Sequence, residues 1–150
     1  MKNLLLLCTA FLVFATSFGQ TEKNSTISSC SSDCLLGECR IKCPGSSVPA
    51  CTCIIGMFSS CKCLENVIGR VSASEYELIV RRSDAKVNSV NSFLRNKNDS
   101  AFSAAINGAY AALKNNNQQE YETHLNTLEN LVKANPRLAD EVHQYVKTLK

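Results

Sequence analysis

Apolar residues return at helical spacing through the second half of the chain, from about residue 73 onward. A first helix is predicted over about Ser74–Asn96, with Ile79, Val80, Val87, Val90, Phe93 and Leu94 on one stripe. Asn96-Lys97-Asn98-Asp99 reads as a polar turn, and Asp99 or Ser100 as the cap of a second helix over about Ser100–Lys114. That helix carries Phe102, Ile106, Ala109, Tyr110 and Leu113, and its alanines and Gly108 permit close helix approach. Asn115–Asn117 is a loop. A third helix follows over about Gln118–Ala134, with Tyr121, Leu125, Leu128, Leu131 and Val132. Asn135-Pro136 breaks the pattern, with Asn135 as cap and Pro136 in the first turn of a fourth helix reaching about Leu149. Its stripe is Leu138, Val142, Tyr145, Val146 and Leu149. Short polar connections between amphipathic helices predict an antiparallel bundle of three to four helices over residues 73–150.

The other end of the chain has a different pattern. Lys2 precedes an apolar run, Leu4–Phe14, broken only by Thr9, and small residues follow at Ala15–Gly19. This is the layout of a cleavable secretory leader over residues 1–19, with cleavage expected near Gly19/Gln20. The run is short for a membrane-spanning helix, which wants about 20 apolar residues. An uncleaved anchor and lipidation of Cys8 are the alternatives. Residues 20–29 read as a flexible polar linker, and no second long apolar stretch exists.

Between leader and helices lie eight cysteines, spaced Cys30-x3-Cys34-x4-Cys39-x3-Cys43-x7-Cys51-x-Cys53-x7-Cys61-x-Cys63. An even, dense set in an exported chain predicts a disulfide framework. Sequence alone leaves the connectivity of the eight cysteines undetermined. Residues i and i+2 of a strand share a face, and residues i and i+4 of a helix share a face. Each C-x3-C pair can therefore meet a C-x-C pair through two bridges, which predicts two helix-to-strand staples. One continuous helix cannot carry both C-x3-C pairs, so a break is expected near Gly37. Cys51–Cys63 reads as a hairpin turning around Gly56. The C-x3-C and C-x-C combination resembles the cysteine-stabilised αβ scaffold of defensins and scorpion-toxin-like peptides over residues 30–63. It departs from them in having eight cysteines, a different strand order and a near-neutral charge.

The segment Ile54-Ile55-Gly56-Met57-Phe58 is apolar for a hairpin tip. Ile54, Ile55, Met57 and Phe58 are a candidate contact patch if exposed, and otherwise the joint between the module and the helices.

Composition narrows the chemistry. Without Lys2 there are 15 basic and 13 acidic residues, interspersed, and there is no tryptophan. No clustered basic face marks a nucleic-acid surface. His124 and His143, the two histidines, lie off the apolar stripes and form no metal-binding spacing. No nucleophile elbow, phosphate-binding glycine loop or calcium loop is present, so no catalytic residue is assigned and no cofactor is expected. Asn24-Ser25-Thr26 and Asn98-Asp99-Ser100 match the N-glycosylation acceptor pattern, and Ser100 also follows an aspartate as in a short O-glycosylation motif.

The expectation is a mainly α protein. A small disulfide-rich module of short helical turns plus a β-hairpin, over residues 30–63, precedes the bundle at 73–150. Function is expected to be non-enzymatic binding in the periplasm or outside the cell. The module would recognise a protein or cell-surface component, with neither nucleic acid nor a membrane span involved. Two other classes compete. One is a soft-metal (copper or zinc) sequestering protein using the thiolates of the same eight cysteines. The other is a secreted toxin-like or antimicrobial effector.

Overall fold

The structure is a computed structural model that describes residues 28–65 and 69–150, with the backbone alone at 69–71. The leader, Cys8, Asn24 and most of the linker lie outside the described residues. The linker's last two residues, Ser28 and Ser29, open the first strand.

Residues 28–80 are β-rich. Strands β1 (Ser28–Cys34), β2 (Gly37–Cys43) and β6 (Glu75–Val80) form one antiparallel sheet in the order β1-β2-β6. Strands β3 (Val48–Ile54), β4 (Phe58–Glu65) and β5 (Gly69–Val71) form a second, ordered β3-β4-β5. The sheets face each other and four disulfides join them: Cys30–Cys51 and Cys34–Cys53 between β1 and β3, Cys39–Cys61 and Cys43–Cys63 between β2 and β4. Their Cα–Cα distances are 5.5–6.1 Å. Sheets packed through ordinary apolar side chains sit about 10 Å apart. Here the layer between them is mostly sulfur and small hydroxyls, with Ile41 of β2 buried among the cysteines. Ser59 Oγ donates to Gly37 O at 2.6 Å and Ser32 Oγ to Thr52 O at 3.1 Å, linking the two sheets directly.

This corrects the mainly α reading of the fold. The cysteine module contains no helical turn; each C-x3-C pair lies on a strand and is bridged to one C-x-C pair, strand to strand. The physical reason is that a spacing of four fits both periods. Residues i and i+4 share a helix face, but an even spacing also shares a strand face. Gly37 does not end a helix. It opens β2 opposite Val80, where a Cβ would fall 2.6 Å from Ile79 O, so only glycine permits the close pairing of β2 with β6.

The first predicted helix is likewise corrected. Residues 75–80 form β6, and the helix α1 spans Asp84–Asn96. Glu75-Tyr76-Glu77-Leu78-Ile79-Val80 alternates in burial, with Tyr76, Leu78 and Val80 turned inward and Ile79 outward. The remaining helices, α2 (Ser100–Lys114), α3 (Gln118–Ala134) and α4 (Pro136–Lys147), run over the residues their periodicity marks. Their starts are capped by side chains: Asp99 accepts from Phe102 N, Asn117 from Glu120 N and Asn135 from Leu138 N. Each helix packs on the next in sequence, and α4 closes back on α1.

The hairpin tips join the two parts. Ile54–Met57 is a tight turn with Ile55 and Gly56 both at positive φ (46° and 74°), closed by Met57 N donating to Ile54 O at 3.0 Å. The tip of the first hairpin bonds to it, Leu35 N to Gly56 O at 3.1 Å and Leu36 N to Met57 O at 2.9 Å. Leu35, Leu36, Ile54, Ile55, Met57 and Phe58 share one buried cluster with side chains from all four helices. A β-branched residue at positive φ is strained; Ile55 is held there with its side chain buried in that cluster.

Candidate functional site

Where β6 leaves the sandwich and meets the α2–α3 corner, a cleft opens. Two adjoining hollows of about 260 and 420 Å3 share Tyr76 and Gln118 in their walls. The smaller is walled by Tyr76, Leu78 and Val80 of β6 on one side and by Leu113 and Tyr121 of the helices on the other. Asn116, Asn117 and Gln118 rim it with amides. The larger continues along β4, past Ile41, Cys61, Lys62 and Cys63, to Glu122 on α3.

Each wall follows from local structure. Period-two alternation on β6 sends Tyr76, Leu78 and Val80 to one face. Asn116, at φ 54°, turns the chain from α2 into α3. Tyr121, in the first turn of α3, reaches across to the sandwich: its hydroxyl donates to Ser59 O at 2.9 Å and its ring meets Phe58 edge-on with centroids 6.2 Å apart. Burial holds that phenol protonated, well above the usual tyrosine range. Lys62 pairs with Glu129 at 2.6 Å, a second tie between β4 and α3. The cleft therefore has rigid walls, an apolar floor and hydrogen-bonding groups at its mouth. Ligand pockets recur at such junctions between structural units.

The other candidate residues fall elsewhere. All eight cysteines of the module are paired. A sulfur in a disulfide offers no thiolate for a metal. Ile54, Ile55, Met57 and Phe58 are 6%, 5%, 0% and 0% exposed; in the folded chain they are the joint to the helices rather than an open surface. His143 packs against the tip, where a Cβ on Gly56 would lie 2.9 Å from its Nδ1. His124 covers Gly108 of α2, where an added Cβ would come within 2.2 Å of the ring. The two histidines thus sit on separate contacts. Asn98 is exposed at the α1–α2 turn with φ 55°, and Ser100 is exposed in the first turn of α2.

A polar groove of about 570 Å3 between α1 and α2 is lined by asparagines, serines, Arg95 and Asp99. It has no apolar wall, as expected of solvated helix faces. Tyr76, Leu78 and Tyr121 escaped the sequence reading as site residues. Alternation through residues 75–80 was the available signal, masked by Val80 and Val87 falling on a helical stripe. No family model, curated protein or solved structure matches this chain.

Proposed function

We propose that the chain is an exported, non-enzymatic binding protein that takes a small amphipathic molecule in the cleft at Tyr76. Four disulfides are those of a stabilised extracellular-type protein. No helix among the described residues is long and apolar enough to cross a membrane. The observation that carries the reading is the opposition of Tyr76, Leu78 and Val80 to Leu113 and Tyr121 beneath an amide rim. A hollow of about 260 Å3 is too small for a partner's helix or strand. It suits a compact apolar body, and the amides of Asn116 and Gln118 suit a single hydroxyl or carbonyl head. Bridges behind β1 and β2 and tip contacts beneath the helices fix both walls before binding, which limits the ordering cost of association.

The test is titration of the isotope-labelled, fully oxidised protein with 1-naphthol, a two-ring body with one hydroxyl, followed by amide chemical shifts. Shifts concentrated at Tyr76, Leu78, Leu113 and Gln118, and their loss in a Leu78→Lys variant that retains its helical circular dichroism, support the reading. Shifts confined to another surface, or no shifts at millimolar probe, overturn it.

A further inference from the structure

The sulfur layer carries an arrangement independent of the cleft. Cys51 and Cys61 are directly opposed in the β3–β4 register, yet each is bridged to the other sheet. They are the one opposed cysteine pair among the described registers: Cys53 faces Ser59, Cys63 faces Pro49, Cys30 faces Ile41 and Cys39 faces Ser32. Opposed residues of an antiparallel pair have Cα atoms about 4.5–5.5 Å apart, inside the roughly 4.4–6.8 Å span of a disulfide. The sulfurs of Cys30, Cys51 and Cys61 all lie within 4.8 Å of one another. Accessibility is graded across the same cluster. Cys30 and Cys51 are half-buried, on edge strands, whereas Cys39 and Cys61 are 0% and 6% exposed.

We propose that Cys30–Cys51 and Cys39–Cys61 form a thiol–disulfide exchange site that accepts two electrons from an external dithiol and relocates a bridge to Cys51–Cys61. One thiolate of the dithiol attacks Cys30 Sγ. The Cys30–Cys51 bond breaks and its electron pair leaves on Cys51. The Cys51 thiolate attacks Cys61 Sγ, the Cys51–Cys61 bond forms, and Cys39 departs as a thiolate and takes a proton from water. The second thiolate of the dithiol then attacks its own sulfur in the mixed disulfide, closing a cyclic disulfide and releasing Cys30, which is protonated in turn. The dithiol loses two electrons and two protons, and the protein gains both. Attack at an accessible bridge thereby delivers a thiol at buried Cys39, which no external reagent reaches directly. Cys34–Cys53, Cys43–Cys63 and the Ser32 and Ser59 hydrogen bonds still join the sheets afterwards.

The test treats the oxidised full chain with one equivalent of dithiothreitol. Exchange is quenched with acid and the chain is unfolded in guanidinium at acid pH, so that the buried Cys39 is reachable. Free thiols are then trapped with N-ethylmaleimide, the remainder is reduced and trapped with a second label, and each label is located by fragmentation mass spectrometry. The first label is expected on Cys30 and Cys39 in equal amounts. First label on Cys30 with Cys51, on Cys39 with Cys61, or on neither bridge overturns the proposal.

Discussion

Truncating Phe58 to alanine tests whether the hairpin tip is the joint between sandwich and helices. Phe58 is 0% exposed and its ring meets that of Tyr121 edge-on. Complete burial of such a side chain contributes about 1.5–3 kcal/mol by transfer from water. Removing it also leaves a cavity that the bridged strands cannot collapse to fill, which brings Phe→Ala costs to about 3–5 kcal/mol. A domain of this size is stable by only about 5–15 kcal/mol, so the loss is a large fraction of the whole. At roughly 4 °C per kcal/mol, the melting temperature should fall by about 12–20 °C. The assay is guanidinium denaturation at pH 7 without reductant, read by helical circular dichroism, so that the signal comes from the helices and the mutation from the sandwich. Val48→Ala is the control: Val48 is 60% exposed, and its loss is expected to change stability by no more than about 0.5 kcal/mol. If Phe58→Ala costs less than about 1 kcal/mol, or leaves helix unfolding unchanged, the tip is not seated under the helices.

Tyr121→Phe keeps the ring contact and deletes one buried hydrogen bond to Ser59 O, so denaturation should report a loss of about 1 kcal/mol, far short of the Phe58→Ala effect. Gly37→Ala forces a Cβ to within 2.6 Å of Ile79 O, a backbone atom that moves only if β6 shifts. A cost of about 1–3 kcal/mol and faster amide exchange at residues 75–80 are expected, and unchanged exchange there would refute the close pairing. Asp33, Asp84 and Glu141 are each held below the usual carboxylate range, first by hydrogen bonds from Arg81, Lys114 and Lys97 respectively. Their folded pKa values are depressed, so their contribution is complete above the ordinary values of 3.8 and 4.5 and is lost as pH falls through the folded ones. The share of stability due to these three pairs, read as the difference between the parent and an Asp33→Asn, Asp84→Asn, Glu141→Gln variant in denaturation at each pH, should decline below about pH 4.5. The decline should be shallower in 1 M salt because the Asp33 and Asp84 pairs are exposed and the Glu141 pair is partly so, and salt screens all three.

Much of this architecture is legible in the amino-acid sequence. The starts of α2 and α4 are written in Asp99 and Asn135, because a capping side chain acts on backbone within three residues of itself. The run Asn115–Asn117 reads as a loop, and the structure singles out Asn117 as the cap of α3. The helix cores are written in the 3.6-residue period of Phe102, Ile106, Tyr121, Leu125, Val142 and Val146. The hairpin around Gly56 is legible because the turn demands positive φ, and eight clustered cysteines announce a bridged module. What the sequence leaves undecided is whatever depends on residues far apart in the chain. A C-x3-C pair satisfies helix and strand equally, and only pairing with β2 and facing β3 makes Cys30–Cys34 a strand. Residues 75–80 become β6 because the free edge of β2, some 35 residues earlier, needs a partner, and Gly37 leaves room for it. Burial of Ile54–Phe58 depends on helices that lie up to 90 residues away. The cleft exists only where β6 and the α2–α3 corner meet. Local chemistry acts over a few residues and is readable along the chain; sheet partners, sulfur neighbours and cavities are set by which surfaces meet, and that is decided in three dimensions.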